Sequence, residues 1–67
     1  MTIKEEIKKL FEDSFLPTEI LAKERYDYFL KESSYKKANV AIKKIRDDEI
    51  RHIAMVKRVI EIASRKS

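Results

Sequence analysis

The sequence contains no cysteine, no glycine, no tryptophan and only one proline. The absence of cysteine excludes disulfides, thiolate zinc sites and iron-sulfur clusters. The apolar runs are all far too short for a bilayer span. The N-terminus has no apolar stretch leading to a small-residue cleavage site, so the expected location is cytoplasmic, with no membrane contact. No internal repeat, low-complexity segment or flexible linker interrupts the chain. Length is also scarce: 67 residues make a single domain, residues 1–67, and a chain this short rarely builds an adequate core without a staple, a metal or a partner chain. With disulfides excluded, metal or self-association is the expected staple.

Charge, by contrast, is abundant. Charged residues make up 42% of the chain, with a formal net charge of +4. Together with the many Lys, Glu, Arg and Ile and the lack of glutamine, this leans towards a thermophilic composition. The positive balance permits acidic partners or nucleic acid without requiring either.

Helical signals then follow in order. Thr2 with Glu5 has the form of a capping box, and Ile3, Ile7, Leu10 and Phe11 follow at helical spacing, predicting a first helix over residues 3–13. Steps of three and four carry its apolar phase to Ser14, Thr18 and Leu21, whereas the next segment runs through Glu19, Ala22, Tyr26 and Phe29. The phase changes near Pro17. Proline removes a backbone donor and disfavours helix at Leu16, which predicts a break or sharp kink across residues 14–17. A second helix is expected over residues 17–32, then an interruption at Ser33-Ser34 with Ser34 as the next cap, then a long third helix over residues 35–63. The third helix would extend roughly 40 Å, too long to stand unpaired.

One seam of that third helix carries the chemistry. Tyr35, Ala38, Ile42, Ile45, Glu49, His52, Val56, Val59 and Ala63 form an unbroken heptad stripe, apolar or small except at Glu49 and His52. Residues three apart share a helical face, so the glutamate and the only histidine of the chain can approach one ion together. Left unpaired in a seam they would cost several kcal/mol, which requires a cation, a proton or a hydrogen-bond partner. A metal site and a polar pair fixing register both meet that requirement.

The hairpin sets the third group. Glu19 lies fourteen residues before Ser33 and Glu49 fourteen after Tyr35, so equal antiparallel arms return them to one height, with Tyr26 two turns along the Glu19 face. Two chains related by a twofold axis at that height would supply four carboxylates and two imidazoles, enough to bridge two divalent ions in charge balance.

The wording of both stretches resembles a known family. Glu19-Ile20-Leu21-Ala22-Lys23-Glu24-Arg25-Tyr26-Asp27-Tyr28-Phe29 is similar to the first-helix motif of rubrerythrins, and Asp48-Glu49-Ile50-Arg51-His52 to their Glu-x-x-His motif. The resemblance, over about residues 15–63, implies an all-α fold in which the hairpin dimerises into a ferritin-like four-helix bundle; ligand glutamates and Glu-x-x-His motifs of this kind hold a di-iron pair. It further implies Glu19, Glu49 and His52 as metal ligands, Tyr26 as the tyrosine bonded to a ligand carboxylate, and two Fe ions per homodimer or higher homo-oligomer. The chemistry implied is that of a ferroxidase or peroxidase acting with O2 or H2O2, the peroxidase needing a separate electron donor. The same donors suit Mn or Zn. The chain departs from rubrerythrin in holding one helix pair instead of two, in lacking a rubredoxin domain, and in a shorter Glu19-to-Glu49 connection. The half-length chain is more similar to encapsulated ferritins, whose C-terminal targeting extension has no counterpart among residues 1–67.

A rival reading is a basic helical dimerisation module, its Lys and Arg neutralising the phosphates of nucleic acid while Glu19, Glu49 and His52 only fix register. Interleaved acids and the core-like spacing of the aromatics argue against it. Glu24, Asp27, Asp47 and Asp48 read as solvated, as do the Lys36-Lys37 and Lys43-Lys44 pairs. Glu12, seven before Glu19, would join the site only in a helix continuous through Pro17.

Overall fold

A computed structural model describes residues 2–65. They form two antiparallel helical arms, with no strand among them. The first arm comprises α1 (Ile3–Leu10), a π-helical turn (Phe11–Phe15) and α2 (Leu16–Glu32); the second is α3 (Lys36–Ser64). The molecule is a rod of 49 × 16 × 13 Å.

α1 starts as the capping pattern predicts, with the Glu5 amide donating to Thr2 Oγ1 at 3.2 Å. The break expected over residues 14–17 does not occur. The Leu16 amide donates to the Phe11 carbonyl, five residues back, and the backbone stays in the right-handed helical region through Phe11, Phe15 and Leu16. A π turn inserts one residue into the helical phase. The first apolar phase points to residues 14, 18 and 21 and the second follows 15, 19 and 22, so one inserted residue is the whole difference. Pro17 sits in the first turn of α2, where the wider turn before it relieves the ring of its clash with the preceding carbonyls. The Phe11 and Phe15 rings pack edge to face across this turn, centroids 4.8 Å apart.

The connection between the arms also differs in detail. Ser33, not Ser34, serves the start of α3: its Oγ accepts from the Tyr35 amide at 3.1 Å, and its carbonyl accepts from Asn39 Nδ2 at 2.9 Å. The Ser33 amide in turn donates to the Phe29 carbonyl at 2.8 Å and closes α2.

Asp27 and Asp47, read from the sequence as solvated, are half-buried and paired. Arg46 reaches across the hairpin to Asp27 at 2.7 Å and along its own helix to Asp47 at 3.0 Å, while Lys23 meets Asp27 at 2.7 Å. These charge-assisted contacts tie α2 to α3.

Packing is otherwise incomplete. Ala22, Tyr26, Leu30, Ala38, Ile42, Ile53 and Val56 are half-buried along the hairpin, yet among the described residues none is fully buried. Met55 is 66% exposed, Ile62 50% and Phe29 48%. Helical steps place Ala41, Ile45, His52, Met55, Val59 and Ile62 on one flank of α3. The antiparallel arrangement turns Thr18, Ala22, Arg25 and Phe29 of α2 towards the same side of the hairpin. One broad side of the rod is therefore largely apolar and open, with Thr18, Arg25 and His52 among its polar members. No described helix is long and apolar enough to cross a membrane.

Candidate metal centre

The two arms bring together the three residues singled out by spacing. Glu19, Glu49 and His52 each offer a ligand atom within 4.8 Å of the others. Glu19 comes from α2, just after the π turn, and Glu49 and His52 come from successive turns of α3. Nδ1 of His52 stands 3.8 Å from Oε2 of Glu19, too far for a hydrogen bond and close enough for a shared cation. The depth is graded: the Glu19 side chain is 28% exposed and His52 54%. Both glutamates lie between the arms, while the imidazole opens onto the apolar side.

The electrostatics of the pair are unfavourable as it stands. Glu49 Oε2 is closed from solvent and has no hydrogen-bond partner. Its carboxyl is raised above the ordinary glutamate range, first by the Glu19 carboxyl beside it, then by burial and by the Glu19 charge, with His52 opposing. Two carboxylates in one crevice favour keeping a proton between them unless a cation replaces it. A divalent ion fits this donor set: it would satisfy the enclosed oxygen, cancel the repulsion and accept the imidazole, and such a mixture of oxygen and nitrogen donors suits Fe, Mn or Zn. Three donors leave a first-row ion short of a complete shell.

Tyr26 is half-buried and lines a groove with Thr18, Leu21, Ala22, Arg25 and Phe29. Among the described residues, no hydrogen bond joins its hydroxyl to Glu19 or Glu49 within one hairpin. Glu12 is not drawn into the site even though the helix is continuous. The inserted residue turns it off the Glu19 face, and it stands exposed, 3.9 Å from Lys8. Steps of four back from Glu19 meet Phe15 and Phe11 instead.

The Asp27–Arg46 tie was missed in the sequence. A signal existed, since Lys23 and Asp27 are spaced i,i+4, but nothing local identifies a partner nineteen residues away. No family model matches the chain, and no curated protein or solved structure matches it either. The likeness to rubrerythrins thus rests on the residues quoted above.

Proposed function

We propose that the chain is half of a di-metal protein: two hairpins pack by their open apolar sides into a four-helix bundle, and Glu19, Glu49 and His52 of each copy hold two ions between them. The observation that carries this reading is the enclosed, partnerless Glu49 Oε2 beside Glu19, in a cluster that opens through His52 onto the side with too little cover. Charge supports it as well, because four carboxylates balance two divalent ions.

The resemblance selects iron, which when bound would supply one-electron chemistry towards O2 or H2O2. The chain's own residues have simpler tasks. Glu49, its carboxyl raised, gives up its proton on loading, Glu19 supplies a second carboxylate and His52 an imidazole nitrogen, and the packed apolar flanks exclude bulk water. Tyr26 stands two turns from Glu19, positioned to bond a carboxylate only once the bundle is complete. Cycling as a peroxidase requires a separate electron donor; ferroxidase activity requires only ferrous iron as substrate and an oxidant.

The test is metal content with mass in solution. Protein produced without a metal-binding tag should be a dimer with about one ion per chain, and Glu49→Ala should lose that metal. Metal-free protein that takes up no ferrous, manganous or zinc ion at micromolar concentration would overturn the reading.

A further inference from the structure

Charge is divided very unevenly along the rod. Residues 28–46, the end that carries the connection between the arms, hold six cations (Lys31, Lys36, Lys37, Lys43, Lys44 and Arg46) and one acid, Glu32. That end is +5, against +4 for the whole chain, which leaves the remainder at −1. Arg46 is taken up by Asp27 and Asp47. The five lysines are exposed, and among the described residues none of them is in an ion pair; elsewhere Lys8, Lys23, Arg51, Arg58 and Arg65 are paired and Lys4, Lys9, Arg25 and Lys57 are not.

Their arrangement is regular. Lys36-Lys37 and Lys43-Lys44 are one heptad apart, about 10 Å along α3. At roughly 100° per residue, Lys36 and Lys43 fall on one flank of the helix's outer ridge and Lys37 and Lys44 on the other. Val40, 62% exposed, stands between them. This ridge points away from α2; its Lys36–Lys43 row lies clear of the open side assigned above to the second copy, and its Lys37–Lys44 row runs along the edge of that side, in line with Met55 and Ile62.

We propose that this ridge docks on the phosphate backbone of nucleic acid. Four ammonium groups in two rows suit a line of phosphates, and each phosphate neutralised releases condensed counterions. All four are lysines. Lysine neutralises phosphate as a point charge and lacks the planar fork that reads a guanine edge in two bonds, so binding is independent of sequence. An anionic bilayer fits less well, because the ridge offers only Val40 as apolar surface to insert. A dimer of hairpins would carry one such ridge near each end and so contact a duplex twice.

The experiment is fluorescence anisotropy of a labelled, random-sequence DNA duplex of 24 base pairs titrated with the full chain. With four contacts per ridge, the logarithmic salt slope should be about −3.6 with one ridge engaged and about −7.2 with both ridges of a dimer, so raising salt from 50 to 200 mM should weaken binding at least about a hundredfold. Replacing Lys36, Lys37, Lys43 and Lys44 by Ala, which favours helix, should abolish binding at 50 mM salt with the helical circular dichroism retained. Lys43→Gln with Lys44→Gln should halve the slope. A control with the same charge loss elsewhere, Lys8→Ala, Lys9→Ala, Lys57→Ala and Arg58→Ala, should bind within a few-fold of the parent. No duplex binding at 50 mM salt, equal loss in the control, a salt-independent affinity, or binding to phosphatidylserine vesicles without binding to duplex would each overturn the proposal.

Discussion

Glu19 and Glu49 meet across the hairpin because each stands fourteen residues from its own end of the connection. Two carboxylates from different helices are thereby held in one crevice with an imidazole one turn away. The pairing leaves an acidic proton or a cation as the only way to relieve Glu49 Oε2, and much of what can be measured on this protein follows from it.

Removing the charge without the shape should therefore stabilise the metal-free protein. The Glu49 carboxyl is raised in the folded state, so the folded chain binds more protons than the unfolded one. The associated stability is present at low pH and lost as pH rises through the folded value. Glu49→Gln should raise the melting temperature of metal-free protein at pH 7 by a few degrees and flatten its decline from mildly acid to neutral pH, while abolishing metal uptake. A variant that melts lower than the parent at pH 7 would show that the two carboxylates are not in conflict.

Asp27 gives the opposite sign. Lys23 and then Arg46 hold its carboxyl below the ordinary value of 3.8. Stability from these contacts is present above that value and lost as pH falls through the lower, folded one. Asp27→Asn should lower the melting temperature at neutral pH and make the acid limb below about pH 4 shallower. Glu61 is lowered as well, by Arg65 and Arg58, so part of the limb should remain. An acid limb identical to that of the parent would mean that the Asp27–Arg46 contact contributes nothing to holding the arms together.

The exposed side predicts association. With no described residue fully buried, a lone hairpin of this length lacks the covered apolar area that stable domains need. Light scattering should give a dimer or larger at micromolar concentration, with a melting temperature that rises with protein concentration. Met55→Lys, on the open flank of α3, should shift the protein to monomer and reduce its helicity. A helical monomer of undiminished stability would exclude the bundle.

Much of this was legible in the sequence, and the reasons are local. The α3 seam, the Thr2 cap and the equal arms around the connection depend on periodicity and counting, which carry over directly into helices. The change of phase near Pro17 was legible too, but its cause was not. A break and an inserted residue shift the apolar pattern alike, and only the five-residue Leu16-to-Phe11 hydrogen bond distinguishes them. The Asp27–Arg46 tie and the Ser33 contacts depend on side chains reaching between elements, where spacing within one helix carries no information. Tyr26 shows the same limit: its place along α2 follows from counting, while among the described residues its hydroxyl makes no hydrogen bond to Glu19 or Glu49.

The most demanding prediction concerns chemistry and depends on both the metal and the dimer. If two copies place Glu19, Glu49 and His52 around one centre, anaerobic titration should take up about one ferrous ion per chain, since a centre shared by two chains holds two. Admitting O2 or H2O2 should then produce ferric absorption in the near ultraviolet faster than for ferrous iron free in the same buffer. Glu19→Ala removes one carboxylate from each ion and should slow this oxidation by about a hundredfold or more. Tyr26→Phe leaves every donor in place and removes only a supporting hydroxyl, so its effect should stay within about tenfold. Saturation at half an ion per chain would mean one ion between two copies, with no second ion to share the electrons. Full loading without accelerated oxidation would leave a structural ion such as zinc as the occupant, binding the two hairpins together by the same six side chains.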